Sequence, residues 1–97
     1  MANIISGKSY GPISATQSQF TLPYGGRYAA VVMATWNAVG TVTLSRLAGD
    51  GTTLIPVTPA WTANTYAVLE LPSGVYQVSI ATATNAYIDI MSVSNFI

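Results

Sequence analysis

The sequence predicts an all-β fold, a single small antiparallel β-sandwich or jelly roll of seven to eight short strands. Apolar residues recur at every second position in several segments, which is the period of a strand with one buried face. Gly, Pro, Asn and Asp separate these segments at short intervals, and no segment carries the apolar stripe of a helix. With 97 residues, 51% of them hydrophobic and none of them cysteine, the chain is predicted to fold by apolar burial without disulfides.

The first half of the chain begins with a segment that has no clear strand pattern. Residues 1–12 contain two glycines, and we interpret them as an N-terminal arm or extended segment, followed by a β-sandwich domain over residues 13–97. A strand is predicted over Ile13–Leu22. After the turn Pro23-Tyr24-Gly25-Gly26, a second strand is indicated by alternating apolar residues at Tyr28, Ala30, Val32, Ala34 and Trp36.

The second half of the chain is divided by clearer turn signals. Asp50-Gly51 predicts a tight hairpin between Thr41–Leu47 and Thr52–Val57, because this pair accepts the positive φ angles of a primed turn. A proline-containing loop follows. The remaining predicted strands are Thr65–Leu71, Val75–Thr82 and Ala86–Val93. The segments Leu22–Tyr28 and Leu71–Tyr76 share a Leu-Pro, Gly and Tyr pattern, which we interpret as ordinary corner chemistry rather than a repeat; two similar half-sheets are the alternative.

The chain carries very few charges. They make up 6% of the residues, against about 25% in an ordinary soluble domain, and the net charge is zero. Electrostatic repulsion therefore does little to keep copies apart. Two interpretations follow: a neutral soluble domain, or a subunit whose surface is largely covered by neighbours, which we favour. The charged residues are Lys8, Arg27, Arg46, Asp50, Glu70 and Asp89.

The strand period also predicts which side chains share the outer face with these charges. If Arg27, Glu70 and Asp89 point to water, several Val, Met and Tyr residues on the same strands do so as well. Met and Tyr are favoured in the centres of protein interfaces. Simple cross-strand packing of exposed apolar residues is the other explanation. The candidate interface residues are Val31, Met33, Tyr66, Val68, Tyr87 and Met91.

The composition also argues against several partners. Three scattered basic residues do not form the clustered positive surface that nucleic acids require. The longest apolar run, Tyr28–Ala34, has seven residues, whereas a membrane-spanning helix needs about 20. The N-terminus lacks the basic start and long apolar stretch of a signal peptide. We therefore expect a protein made in a cytoplasm, without nucleic acid or membrane as a partner.

Candidate catalytic and metal-binding residues are scarce. Histidine and cysteine are absent, and Glu70 with Asp89 is the one carboxylate pair that neighbouring strands would bring together, although nothing in the spacing requires it. The sequence Gly7-Lys8-Ser9-Tyr10-Gly11 matches the nucleophile elbow of hydrolases, but the chain offers no histidine and no following helix, so we interpret it as a flexible segment. Calcium needs several oxygen ligands, and Asp50 with loop carbonyls is the candidate set. The hairpin turn at Asp50-Gly51, however, accounts for this residue without calcium. We predict no enzyme, no catalytic residue, no metal site and no cofactor.

The tryptophans raise an alternative function. β-Sandwich modules commonly bind glycans by stacking sugar rings on exposed aromatic side chains. Trp61 stands in a loop-like stretch and is the better candidate for glycan stacking, followed by Trp36. The competing interpretation is that both tryptophans fill the core or an interface, as aromatic residues usually do.

The segment Tyr28–Ala86, about 60% of the chain, resembles small structural proteins of tailed bacteriophages. The motifs that carry the resemblance are Trp36, Val42-Thr43-Leu44, Asp50-Gly51-Thr52-Thr53, Leu71-Pro72-Ser73-Gly74-Val75-Tyr76 and Ala81-Thr82-Ala83. The resemblance implies a virion component, either a head decoration (cement) protein or a fibre or tail-associated subunit, and it implies no active-site residues.

These observations lead to one expected function and one alternative. We expect a non-enzymatic virion protein, a capsid decoration subunit made in the host cytoplasm. It would assemble as a homo-oligomer, such as a trimer, and with other virion proteins such as the major capsid protein. The alternative is a carbohydrate-binding β-sandwich module in a phage adhesion device, with a glycan as its partner.

Overall fold

The computed structural model describes residues 7–93, and within this range the chain forms eight strands. Residues 1–6 and 94–97, which include half of the expected N-terminal arm, lie outside the described residues. The strands are β1 (Gly7–Ile13), β2 (Phe20–Leu22), β3 (Gly26–Thr35), β4 (Thr41–Leu47), β5 (Leu54–Pro56), β6 (Thr65–Leu71), β7 (Gly74–Ala81) and β8 (Thr84–Ser92).

The strands form two four-stranded sheets. Sheet A has the order β1-β8-β3-β6, and sheet B has the order β2-β7-β4-β5. Every neighbouring pair is antiparallel. The topology is that of one long hairpin, in which β1–β4 run against β5–β8, rolled into two layers. Its strand pairs are β1–β8, β2–β7, β3–β6 and β4–β5. The prediction of an all-β sandwich or jelly roll is confirmed, and the strand order is that of a jelly roll.

The core lies between the sheets and follows the predicted two-residue period. The apolar residues of β3, β7 and β8 that alternate in the sequence point inward from the two sheets. Because most of this core is aliphatic, its packing rests on dispersion and on apolar area removed from water. The fully buried large side chains are Tyr28, Tyr76, Leu22, Leu44, Ile88, Ile90, Val32, Val42 and Val78.

The two similar Leu-Pro-Gly-Tyr segments are equivalent corners at which the chain changes sheets. One carries the chain from β2 in sheet B to β3 in sheet A, and the other from β6 in sheet A to β7 in sheet B. In each corner a buried tyrosine donates its hydroxyl to the carbonyl four residues earlier, Tyr28 to Tyr24 at 2.5 Å and Tyr76 to Pro72 at 2.6 Å. The repeated pattern therefore reflects two related corners, of the kind that tyrosines stabilise in other sandwiches.

A glycine in each corner has a positive φ angle, 149° at Gly26 and 154° at Gly74. At Gly74 the space that a Cβ would occupy is filled by the guanidinium of Arg46. Arg46 donates to the Ser73 carbonyl at 2.8 Å, and its Nε is buried without a partner among the described residues. Burial raises the pKa of Tyr76, which lies opposite Arg46, and the nearby positive charge partly offsets this shift.

Two predictions about the N-terminal part need correction. Gly7–Ile13 pairs with β8 in sheet A, with a register shift between Tyr10 and Ile13, so the segment Gly7–Gly11 that we interpreted as flexible is part of a strand. The strand predicted over Ile13–Leu22 is interrupted, and only its two ends are extended strands. Between them, polar side chains replace part of the backbone ladder: Thr16 Oγ1 accepts from the Ile80 amide, and Gln77 donates to the Gln17 carbonyl.

The hairpin at Asp50-Gly51 is present, but its turn is not of the predicted primed type. A primed type I turn needs positive φ at both central residues, and only Gly51 has it, at 79°. Gly51 donates to the Ala48 carbonyl, and Ala48 donates to Thr53. The Asp50 carboxylate accepts hydrogen bonds from the amides of Thr52 and Thr53 and from the Thr53 hydroxyl, which stabilises a wider loop.

Candidate functional site

The outer face of sheet A is the most distinctive surface of the molecule. Backbone register places its side chains in rows across the strands. Met33 lies opposite Tyr87, and Val31 lies between Tyr66 and Asp89. In the next row Ala29 lies between Val68 and Met91. We call this surface the apolar face, defined by Val31, Met33, Tyr66, Val68, Tyr87 and Met91.

All six residues of the apolar face are exposed, from 43% at Met91 to 67% at Tyr66. Their predicted outward placement is therefore confirmed, whereas their role in an interface stays a prediction. Neighbouring residues on adjacent strands have Cβ atoms about 5 Å apart, so these side chains form one continuous surface. Continuous exposed apolar surfaces of this kind mark interaction sites more often than scattered single residues do.

The outer face of sheet B is chemically different. On its central strands, β4 and β7, Thr43 lies opposite Ser79 and Ser45 lies opposite Gln77. These outward positions therefore carry hydroxyl and amide groups. Ser45 is buried and Gln77 donates to the Gln17 carbonyl, so these polar groups are only partly open to water and form no exposed apolar surface. The contrast between the two sheets assigns the candidate interaction surface to sheet A.

Gly11 of β1 fixes the position of one aromatic ring on the apolar face. A Cβ at this residue would lie 2.3 Å from the ring of Tyr87, which therefore rests directly on the glycine backbone. The φ of Gly11 is 155°, which further favours glycine. No local sequence pattern predicts this contact, since it depends on the pairing of β1 with β8.

The charges on the outer face of sheet A are few and unevenly placed. Arg27 and Glu70 form an exposed ion pair at one end, with Nη2 and Oε2 3.4 Å apart. Because both side chains are largely in water, this pair contributes little to stability. Asp89 lies within the apolar rows, opposite Val31 on one side and Ser9 on the other. A partner that covers this face must therefore supply a hydrogen-bond donor or a cation to Asp89.

The structure separates the carboxylates that the sequence analysis considered as a pair. Glu70 is on β6 and Asp89 on β8, with β3 between them, so they are not on neighbouring strands. Their β3 partners, Arg27 and Val31, are four residues apart, which places the two carboxylates about 16 Å from each other. This separation is larger than the span over which two carboxyl groups act on one glycosidic bond.

The remaining chemical motifs have structural explanations. Ser9 of the Gly-x-Ser-x-Gly match lies in the middle of β1, opposite Asp89, and not at a strand-to-helix turn. The described residues contain no group of three or more His, Cys, Asp and Glu side chains that could hold a metal ion. Asp50 uses both carboxylate oxygens within its own turn, and nothing there points to calcium.

The two tryptophans considered for glycan stacking lie in different environments. Trp61 is 7% exposed and belongs to the core, where its backbone pairs with Val42 of β4. Its ring is therefore unable to stack on a sugar, and the core interpretation is correct for this residue. Trp36 is half-buried and donates its indole N–H to Asn64 Oδ1 at 3.0 Å, which holds the ring against the edge of the core.

One end of sheet A carries two shallow clefts that the sequence analysis did not identify. The first, of about 440 Å³, is lined by Arg27, Glu70 and the β6–β7 corner. The second, of about 310 Å³, is lined by Tyr24, Arg27 and Val93 among others. Tyr24 is 51% exposed and lines the second cleft together with Arg27, which is ion-paired with Glu70. Such a combination of a ring with polar groups fits a small polar ligand.

Comparisons with known proteins identify no family for this chain. No protein-family model and no curated protein matches it. Among solved structures it is similar to a carbohydrate-binding module of Cellvibrio mixtus lichenase 5A, determined in complex with cellotriose. The match covers 93% of this chain and 74% of the module, with 19% identity and a TM-score of 0.39. A likeness this low supports no conclusion about the ligand or the site of this protein.

Within residues 7–93 there is no helix long and apolar enough to cross a membrane.

Proposed function

We propose that this protein is a non-enzymatic assembly subunit that associates with copies of itself and with other proteins through the apolar face of sheet A. The observation that carries the proposal is the continuous exposure of Val31, Met33, Tyr66, Val68, Tyr87 and Met91 on a single sheet. A specific interface covers about 800 Å² on each partner. That is about a seventh of the 5487 Å² that the chain exposes, and one broad side of a two-sheet sandwich offers such an area.

The positions of the charges support a specific contact rather than non-specific apolar association. Arg27 and Glu70 neutralise each other at one end of the sheet, whereas Asp89, within the apolar rows, has no ion-pair partner among residues 7–93. A partner without a donor opposite Asp89 would leave a buried, uncompensated carboxylate, which costs several kcal/mol. A partner with such a donor gains both contact area and selectivity.

We further propose that the assembly is the virion of a tailed bacteriophage, where the protein acts as a capsid decoration subunit on the major capsid protein. Support comes from the sequence motifs that resemble small phage structural proteins and from the charge deficit, 6% of residues, which suits a subunit covered by neighbours. Purified protein mixed with undecorated heads should co-sediment with them and saturate at a fixed ratio. Absence of binding to heads and tails alike would count against the virion assignment but not against self-assembly.

The role of the apolar face is tested by a matched pair of charge substitutions. Met33→Glu places a carboxylate on the central strand of the apolar face, and Ser79→Glu places one on a central strand of sheet B. Light scattering over about 10 µM to about 1 mM should show large assemblies for the unmodified chain and for Ser79→Glu, but no species larger than a dimer for Met33→Glu. Equal association of both variants, with unchanged folding by circular dichroism, would contradict the proposal.

A second candidate function rests on the clefts beside Tyr24. The exposed Tyr24 ring and the adjacent Arg27–Glu70 pair offer one stacking surface and several hydrogen-bonding groups, the elements of a small glycan site. A carbohydrate-binding module would therefore use Tyr24 instead of Trp61. Tyr24→Ala should abolish glycan binding and preserve the fold, because the Tyr24 carbonyl that accepts from Tyr28 is retained. A glycan array without signal for the unmodified chain would remove this candidate.

A further inference from the structure

The four edge strands of the two sheets differ in how well they are protected against pairing with another strand. The edges β2 and β5 have three residues each, and β5 ends in Pro56. The edge β1 carries Lys8, Pro12 and an irregular register near its end. Short length, lysine, proline and bulges are the devices by which proteins block edge-to-edge pairing. Among the described residues, β6 has none of them.

Strand β6 is instead a regular edge of seven residues, Thr65–Leu71. Its pairing with β3 runs without a register shift from Gly26–Leu71 to Val32–Thr65. Its single charge, Glu70, is already paired with Arg27 of the neighbouring strand. Its inward-facing Ala67 and Leu69 are only partly buried, which is consistent with an uncovered end of the core. The sequence Tyr66-Ala67-Val68-Leu69 also has high strand propensity.

The hydrogen-bond pattern identifies which backbone groups of β6 are unpaired in the sheet. Arg27 accepts from the Val93 amide, and Ala34 donates to Asn64 at the β6 side of β3. In an antiparallel sheet, the N–H and C=O groups of successive residues in a central strand point alternately to one neighbouring strand and to the other. The odd-numbered residues of β3 therefore bond to β8, and the even-numbered residues bond to β6. Through the register, the N–H and C=O groups of Tyr66, Val68 and Glu70 point away from β3 to the open edge.

We propose that two copies of this protein pair their β6 strands antiparallel about a two-fold axis at Val68. In this register Val68 lies opposite Val68 of the second copy, and Tyr66 lies opposite Glu70. The three residue pairs exchange two backbone hydrogen bonds each, six in all. Registers centred on residue 67 or 69 form two such pairs instead of three, and a parallel in-register pairing would place Glu70 beside Glu70.

The second copy is the occupant that fits this edge best. The free groups are self-complementary about one axis, as an isologous contact requires, and no like charges oppose each other. The pairing joins two A sheets into one eight-stranded sheet and doubles the apolar face. A trimer, considered in the sequence analysis, would need a different, head-to-tail contact. The inference deepens the proposed self-assembly, although it concerns the edge of sheet A and not its face.

A cysteine scan tests the register, because the chain has no cysteine of its own. Val68→Cys puts two thiols in directly opposed residues with Cα atoms about 5.5 Å apart, within disulfide range. Tyr66→Cys is the matched control on the same strand, since its thiols would be about 14 Å apart. Under mild oxidation at about 0.5 mM, Val68→Cys should form a covalent dimer at least tenfold faster than Tyr66→Cys. Equal rates for the two variants, or no dimer for Val68→Cys, would overturn the proposal.

Two further samples separate this inference from the proposed function. An equimolar mixture of Tyr66→Cys and Glu70→Cys should give the mixed disulfide in preference to either homodimer, which reports the antiparallel register directly. Met33→Glu added to Val68→Cys should preserve the covalent dimer while abolishing larger assemblies. Larger assemblies that persist without any Val68 cross-link would refute edge pairing and leave the proposed role of the apolar face intact.

Discussion

At the residue scale, Asp50 shows how one fully exposed side chain organises a loop. Its carboxylate accepts from the amides of Thr52 and Thr53 at 2.9 Å each, and from the Thr53 hydroxyl at 2.6 Å. The Thr53 hydroxyl and then these amides hold the pKa of Asp50 well below its usual range. All three donors favour the ionised form, so the loop depends on the charge of Asp50.

This dependence predicts how stability changes with pH. The pKa of Asp50 is lower in the folded than in the unfolded chain, so its contribution is complete above about pH 4 and is lost as the pH falls below that value. Urea unfolding at several pH values should therefore show that Asp50→Asn is less stable than the unmodified chain near neutral pH. The difference should shrink in acid. A difference that stays constant down to about pH 2 would contradict this assignment.

Trp61 and Trp36 illustrate a limit of single-residue interpretation. Both lie in segments whose sequence pattern leaves open whether the ring is exposed or covered, although packing is the commoner role of aromatic residues. Trp61 is buried because its backbone bridges to Val42 beside sheet B, and Trp36 is tied to Asn64. Which atoms surround an aromatic ring depends on distant segments, so the choice between stacking platform and core residue required the tertiary structure.

At the element scale, the two sheet-changing corners are the features that most constrain the chain. Each needs a buried leucine, a glycine with positive φ and a tyrosine whose hydroxyl reaches back to a carbonyl. They differ in one respect. The space above Gly26 is empty, whereas Arg46 lies over Gly74.

This difference allows backbone strain to be separated from steric contact. Gly26→Ala should cost about 1–3 kcal/mol of unfolding free energy, because alanine is strained at its φ of 149°. Gly74→Ala should cost more, since the new Cβ would lie 2.6 Å from Arg46 Nη2. Gly49→Ala, with open space and no positive φ, is the control and should change stability little. Equal losses at Gly26 and Gly74 would show that Arg46 moves without cost.

Edge strands are the elements for which the sequence analysis was least informative. Gly7–Gly11 was interpreted as flexible, yet it pairs with β8 and supports the ring of Tyr87. Glycine and proline weaken a local strand pattern, and here the partner strand compensates for that weakness. Conversely, the regular pattern of Thr65–Leu71 correctly predicted a strand but did not reveal that it lies at an open edge.

At the scale of the whole molecule, the distribution of charge is the dominant property. Six ionised residues, three of each sign, are spread over 5487 Å² of surface. Contacts between copies must therefore rest on apolar area and on uncharged hydrogen bonds, with few ion pairs for salt to screen.

Self-association should accordingly be insensitive to ionic strength. Sedimentation between about 50 mM and about 500 mM NaCl should give the same dissociation constant within about a factor of two, because the screened pairs contribute little. Sodium sulfate should strengthen association, since it favours the burial of apolar surface. A marked loss of association with added NaCl would show that charges, and not the apolar face, hold the copies together.

The sequence by itself determined the fold class, most strand positions and the outward placement of the six residues of the apolar face. Those properties follow from a two-residue period and from turn chemistry, which act over neighbouring residues. Only the tertiary structure decided the jelly-roll order, the burial of Trp61, the separation of Glu70 from Asp89 and the open edge at β6. Strand pairing joins residues far apart in the chain, and backbone hydrogen bonds are alike for every sequence, so local patterns do not specify which strands meet.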